Sequence, residues 1–429
     1  MLFSKSFVRT LREEPSDSGC ASYSLMLRAG LIRKIANGLF AYLPPGLRSL
    51  RKVELIVRRE LDAAGALEIL PPVIVPGELW RESGRWDAMG DSMLRARGRQ
   101  GNDLVVSPTA EELFTAIARG DLASYRDLPL TLYQINTKYR DELRPRYGIM
   151  RAREFIMMDA YSFGLDGAEL DASYRAMAGA YGAIFRACGL RTLEVKADCG
   201  DMGGSESEEF MVESEIGDDI LVSCRACGYA SNLEAAGPAA LGAGSEGGAD
   251  GRCPSCGATL RKSRGNELGH IFKLGDKYSG PMNLRVLDSA GERRTPLMGC
   301  YGIGMDRLLA SIIEERHEGD SIDWPVAVAP WHVAVVPTLF KGAVRERALA
   351  LGRALEGEGL EVLLDDRDER AGVKLRDADL LGLPLRAVLG GNGGEGMVEL
   401  RRGRCGRTIL VAQADCPGAA KALLEEAAP

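Results

Sequence analysis

The residues best suited to chemistry fall into three groups. Arg140 and Glu142 stand one residue apart, and Arg151, Phe155 and Asp159 follow at four-residue intervals. A fixed guanidinium donates two parallel charge-assisted hydrogen bonds, which suits a phosphate or a carboxylate. A glutamate beside it accepts from an exocyclic amine, and a phenylalanine face stacks on a planar base. The second group is Gly299, Gly302, Gly304 and Arg307, where glycines let backbone approach a nucleotide and the arginine meets a ring face or a phosphate. The third is two CxxCG knuckles, Cys224/Cys227 and Cys253/Cys256. In each, two thiolates share one metal ion, and the following glycine allows the turn that aims N–H groups at sulfur. Blander readings are a salt-bridged edge hairpin for the first group and four reduced, empty thiols for the third.

Elements must hold these residues in place. From Tyr133 the chain alternates apolar and polar residues, as a half-buried strand does, and the alternation puts Arg140 and Glu142 on one face of that strand. Pro145 and Gly148 break the arginine-rich stretch that follows, and a second apolar run carries Phe155 and Asp159, which predicts an antiparallel hairpin with a basic loop over a pocket. Residues 47–64 read as an amphipathic helix with Leu47, Leu50, Val53, Ile56, Val57 and Leu61 on its apolar side. Thr109 is placed to cap a helix, with Glu112 completing a capping box. Residues 168–190 form a further core helix, and from about residue 331 strands and helices alternate, which predicts a small α/β domain with parallel strands. Arg401, Arg402, Arg404 and Arg407 make a local basic patch or a solvated hairpin.

Bulk properties narrow the class. A chain of 429 residues, 45% hydrophobic, buries a large core and suggests two or three domains. The net charge of −7 leaves nucleic-acid contact to local patches. No apolar run approaches the ~20 residues of a membrane helix, and the N-terminal stretch lacks a signal-peptide core, so a cytoplasmic location is expected. Three histidines leave little room for His-based acid–base schemes, and ten cysteines in a cytosolic protein argue for metal binding or free thiols.

The pattern Arg-x-Glu, loop, Arg151-x-x-x-Phe155-x-x-x-Asp159 resembles the second signature motif of class II aminoacyl-tRNA synthetases. The segments TKYRDELRPRYG and DAYSF are similar to those of the bacterial prolyl-tRNA synthetase family in particular, as are ESGRW, GHIF, GCYGIG and DDRDERAGVKLRDADLLGLP. The resemblance covers the whole chain apart from the cysteine-bearing insert. It implies an α+β catalytic domain with a mixed or antiparallel sheet, the class II synthetase fold, and a C-terminal α/β anticodon-binding domain. The parts would be residues 1–222 and 264–330 for the catalytic domain, 223–263 for the insert and 331–429 for the anticodon-binding domain. It also implies the reaction: ATP, proline and the proline tRNA give prolyl-tRNA, AMP and pyrophosphate.

By the same resemblance Thr109, Glu111, Arg140 and His270 bind proline. Arg140, Glu142, Arg151, Phe155, Gly302, Gly304 and Arg307 bind ATP, with Arg140 and Arg307 catalytic. Mg²⁺ is expected on the phosphates, with Glu209 as a candidate ligand beside the alternative of an exposed acidic loop. The helix–Gly65–strand–Pro72 unit matches the first class II motif and implies a homodimer. Ala110, Met158 and Glu208 stand where the family often has His, Lys and His. Cys224, Cys227, Cys253 and Cys256 read as one structural Zn²⁺ site, and the insert of about forty residues is too short for an editing domain with its own core. Two rival readings stay open: another class IIa synthetase, or a non-catalytic paralogue that binds RNA. The threonyl enzyme's pocket zinc needs a Cys/His/His set that this chain does not offer, and the intact arginines argue against the paralogue.

Overall fold

The structure is a computed structural model and describes residues 1–15, 19–233, 251–390, 394–403 and 406–426. Its largest element is a nine-stranded sheet built from β1 (Leu67–Glu68), β2 (Leu130–Tyr139), β3 (Glu154–Gly164), β4 (Leu193–Lys196), β5 (Glu206–Glu213), β6 (Asp219–Ser223), β7 (Ala230–Asn232), β8 (Arg261–Gly275) and β9 (Leu297–Gly304). The spatial order is β5-β4-β7-β6-β8-β9-β3-β2-β1, with a further pairing of β5 on β8. Most neighbours run antiparallel, so the sheet is the mixed type expected. Period-two alternation in β2 and β3 creates the central hairpin, paired from Leu130↔Phe163 to Tyr139↔Glu154.

One expectation fails at the hairpin's end. β2 stops at Tyr139, and residues 140–142 form a tight turn in which the Glu142 amide donates to the Arg140 carbonyl at 2.7 Å. Arg140 and Glu142 are therefore turn residues rather than neighbours on one strand face. Charged residues beyond Tyr139 have no apolar layer to cover, so the strand has no reason to continue there.

Helices cover the other face. α1 (Ala21–Arg28), α2 (Pro44–Ala63), α4 (Gly167–Ala187) and α5 (Met305–Glu315) pack together behind the strands, while α3 (Glu111–Asp121) belongs to a second apolar cluster on the opposite face of the same strands, with Leu132, Tyr161, Phe272 and Cys300. α2 starts with two prolines, which are tolerated in a first turn because the missing N–H has no helical partner there. Its Leu50, Val53, Ile56, Val57 and Leu61 are buried, but Leu47 is 37% exposed and points outward with Leu55. Asp166 caps α4 through the Ala168 and Glu169 amides.

The C-terminal part is a five-stranded sheet of β10 (Val333–Pro337), β11 (Val362–Leu364), β12 (Leu385–Leu389), β13 (Met397–Arg402) and β14 (Thr408–Ala412), in the order β11-β10-β12-β13-β14. α6 (Gly342–Gly357), α7 (Ala371–Leu381) and α8 (Cys416–Glu425) flank it. β10, β11 and β12 are parallel, whereas β13 and β14 complete the sheet antiparallel. The short connections at β12–β13 and β13–β14 leave no length for a crossover helix, so the expectation of parallel strands holds for the first three only.

The C-terminal part is joined to the rest through the main apolar cluster, which takes in Val336, Leu363, Leu381 and Val388, and through polar contacts. Glu361 receives Arg48 and Lys52 from α2. Residues 1–10 also reach the C-terminal part: Leu2 bridges Leu364 on the edge strand β11, Phe3 lies 3.7 Å beneath the Arg367 guanidinium, and Thr10 donates to Asp377 of α7 at 2.9 Å. Among the described residues no helix is long and apolar enough to cross a membrane.

Candidate active site

A cavity of ≈ 580 Å³ opens on the face of β3, β8 and β9 and is lined by Thr109, Glu111, Arg140, Glu142, Arg151, Phe155, His270, Gly302, Gly304 and Arg307 among others. All of the expected proline and nucleotide residues thus reach one space. Arg140 is held by its Nε, which donates to the Pro108 carbonyl at 3.1 Å, and its guanidinium sits 5.3 Å from the Phe155 ring centre. Desolvation, and then the charge of Arg307, lower its pKa, the electrostatic mark of a cation that an anion would relieve. Glu142 is paired with Arg151 at 2.9 Å. Partial desolvation opposes its charge, but the Arg144 amide and Arg151 outweigh that and hold Glu142 below the usual carboxylate range.

Thr109 and Glu111 stand at the far end, and the capping box expected of Thr109 and Glu112 is not formed. α3 starts at Glu111 after Ala110, and the Thr109 hydroxyl donates to the Glu111 carboxylate at 2.8 Å. Glu112 turns away to Ser83 at 2.8 Å and to Arg85. The reason is Arg85, which is 6% exposed and whose Nη1 lies 3.0 Å from Glu111 and 3.2 Å from Glu112. A buried cation attracts both carboxylates more strongly than an amide N–H does. Cys300 also donates to Glu111, at 3.3 Å, and burial followed by the Glu111 charge pushes its thiol well up, so it is a wall of the pocket and not a thiolate nucleophile. Below this floor Lys138 and Asp159 form a buried ion pair at 2.9 Å, and Gln134 and Tyr161 donate to the same carboxylate.

The third wall carries Glu267 and His270, and Glu209, which does not itself line the cavity, stands beside them with all three residues' ligand atoms within 4.8 Å of one another. The His270 Nε2 meets the Ser207 hydroxyl at 2.8 Å, and its Nδ1 lies 3.6 Å from each carboxylate. Residues 267 and 270 would face opposite sides of a regular strand. A register shift between Phe210 and Met211 leaves Leu268 unmatched in β8 and rotates Glu267 onto the His270 side. That bulge is why Glu267 escaped the sequence reading. Burial and the neighbouring Glu267 raise Glu209 to about 7. Burial works against Glu267 too, but the His270 hydrogen bond and the charges of Arg307 and Arg140 pull it down to about 2. Arg307 donates to the Met150 and Glu267 carbonyls and faces the Glu267 carboxylate at 3.4 Å. Two carboxylates beside a histidine fit a divalent cation, which favours oxygen ligands when it is Mg²⁺.

The four insert cysteines also converge. Cys224 and Cys256 are 3.5 Å apart at sulfur, as are Cys227 and Cys253. Four thiolates at ~2.3 Å around one zinc stand about 3.8 Å apart, so the set fits a closed tetrahedron. Gly228 and Gly257 take φ +76 and +75, the left-handed conformation the knuckles need. Burial opposes the Cys253 thiolate, but the Ser255 and Cys256 amides outweigh it and bring the thiol to about 7. The knuckles sit at the common end of β6, β7 and β8, in a small cluster with Val222 and Leu260. The Gly/Ala-rich linker between them lies outside the described residues from 234 to 250, as does Arg404 of the basic patch.

Residues 95–316 match the model of the tRNA synthetase class II core domain (G, H, P, S and T), and residues 332–422 match that of the anticodon binding domain. The chain is 39% identical to a proline–tRNA ligase of Treponema denticola, an alignment covering 91% of this chain and 93% of the relative. It is 37% identical to one of Geotalea daltonii, with both chains covered in full. The latter alignment runs over 568 positions against 429 residues here, so that relative carries a long stretch this chain lacks. Among solved structures, a prolyl-tRNA synthetase from Cryptosporidium parvum complexed with halofuginone and AMPPNP superposes with a TM-score of 0.76 at 15% identity, covering 94% of this chain and 77% of that one.

Proposed function

From the premise that the chain belongs to the bacterial-type prolyl-tRNA synthetase family, we infer how its residues divide the work of an ATP-dependent proline–tRNA ligase. The observation that supports this division is the shared cavity, with two guanidiniums at its centre and a carboxylate–hydroxyl pair at one end. The prolinium nitrogen carries two N–H donors, which Thr109 and Glu111 accept. The proline carboxylate is already ionised at neutral pH, so adenylation needs no general base. Its oxygen attacks the α-phosphorus, the bond to the β-phosphate oxygen breaks, and pyrophosphate leaves. Arg140 spans the carboxylate and the α-phosphate and neutralises charge as the phosphorus becomes five-coordinate. Arg151 and Arg307 take the outer phosphates, Phe155 the adenine ring and Glu142 its amine. Gly302 and Gly304 leave room for backbone to approach the nucleotide. His270 lies at the boundary between the proline end and the acidic wall. Mg²⁺ bound by Glu209 and Glu267 would add charge neutralisation on the phosphates.

In the same reading Cys224, Cys227, Cys253 and Cys256 hold one structural zinc and the insert does no editing. The chain divides at 1–222, 223–263, 264–330 and 331–429, acts in the cytoplasm and forms a homodimer. The reading is tested by proline-dependent ATP–pyrophosphate exchange. Arg140→Ala should lower the rate by ~10²-fold or more, the usual cost of one fixed transition-state donor. A folded Arg140→Ala protein with an unchanged rate would remove Arg140 from the mechanism.

A further inference from the structure

The cavity's amine end holds more charge than binding an amine requires. Glu111 alone supplies a carboxylate, yet Glu112 is buried beside it and Arg85 is buried between them. Arg85 is fixed on every side. Gly84, at φ +78, turns the chain so that the short helix Arg85–Ala88 starts with this side chain directed inward. The Trp80 and Tyr278 rings lie 5.2 and 5.3 Å from the guanidinium carbon, and Nη2 rests against the Met89 and Met202 sulfurs at 3.3 and 3.8 Å. One nitrogen, Nη1, serves both carboxylates. Two ionised carboxylates this close and this dry repel strongly unless a cation lies between them.

We propose that Arg85 is a positioning residue for proline recognition: it holds the Glu111 carboxylate in place for the substrate ammonium, while Glu112 sets the net charge that the ammonium meets. The proposal rests on the reading that Thr109 and Glu111 bind the amine. With both carboxylates ionised the triad carries one net negative charge, which the ammonium neutralises. With Glu112 protonated the triad is neutral and the attraction is lost. The groups facing Glu112 are Arg85, Glu111, Ser83 and the Tyr278 phenol, with Cys300 behind Glu111. Burial lifts Glu112 to about 7, with Arg85 opposing and Glu111 adding. The proline KM should therefore fall as pH rises through about 7, because Glu112 gains its charge there.

The test is ATP–pyrophosphate exchange on the full chain, varying proline and ATP separately between pH 6 and 8.5. Arg85→Gln should raise the proline KM ten-fold or more while the ATP KM stays within two-fold, and Arg85→Lys should recover part of the loss. Glu112→Gln should flatten the pH dependence of the proline KM. A folded Arg85→Gln protein whose proline KM moves less than two-fold, or whose ATP KM rises equally, overturns the proposal. If Arg85→Gln does not fold, Glu112→Gln decides alone: a pH step that persists without Glu112 overturns it. Glu111→Gln separates the two levels. If its proline KM is unchanged, the amine-binding reading itself fails and the proposal with it. If it rises while Arg85→Gln has no effect, only the positioning role falls.

Discussion

Gly302 shows how one missing side chain can hold a space open. A Cβ built there would meet only the Met157 side chain, at 3.5 Å for Cε and 3.9 Å for Sδ, and its backbone needs no left-handed angle. The fold therefore does not demand glycine at this position; in the proposed nucleotide site the open space is what glycine would preserve. Gly302→Ala should leave the melting temperature within a few degrees and raise the ATP KM more than the proline KM. Gly302→Val, with two methyls in the nucleotide space, should all but abolish exchange while the protein still folds. Isothermal titration with ATP would check both, and full ATP binding by the valine variant would show that the nucleotide lies elsewhere. Residues of this kind were legible in sequence because the arginines, Phe155 and the glycines keep fixed spacings along the chain, within or next to neighbouring strands. Arg85 and Glu267 were not. Arg85 is far in sequence from the carboxylates it joins, and a charged residue beside Gly84 reads as surface until burial is known.

At the scale of elements, the knuckles and β8 form one continuous piece. The second knuckle runs through Leu260 into β8, whose middle carries Glu267 and His270 to the cavity. Four thiolates that close on one metal would supply folding energy that the few apolar residues of the insert do not. We expect about one zinc per chain by elemental analysis, lost in a Cys224→Ser/Cys253→Ser variant that keeps most of its exchange activity. Purified protein with no bound metal, and knuckles still protected from amide exchange, would rule the site out. Periodicity found the helices and long strands because each buries one continuous face. It could not find where β2 ends, the unmatched Leu268 or the start of α3, since these depend on what lies opposite in space.

At the scale of the whole molecule, apolar side chains remain uncovered along one flank. Leu55, Leu67, Leu70 and Ile74 are 62, 56, 82 and 57% exposed, and β1 forms the outer edge of the nine-stranded sheet. An exposed edge strand beside outward leucines favours pairing with another copy. We expect light scattering to give a dimer mass at micromolar concentration and Leu70→Lys/Ile74→Lys to shift it toward monomer; a monomer in the unmodified protein would exclude this interface. The edge contact made by residues 1–10 bears on a different question, the order in which the molecule can be finished. Leu2 and Thr10 find their partners at Leu364 and Asp377, more than three hundred residues later. On a ribosome adding roughly 5–20 residues per second, that edge stays open for tens of seconds while the catalytic sheet is already assembling. Folding thus closes as a loop, with an early segment waiting on a late domain. A chain halted before β11 would leave Leu2 and Phe3 without the partners at Leu364 and Arg367 that cover them.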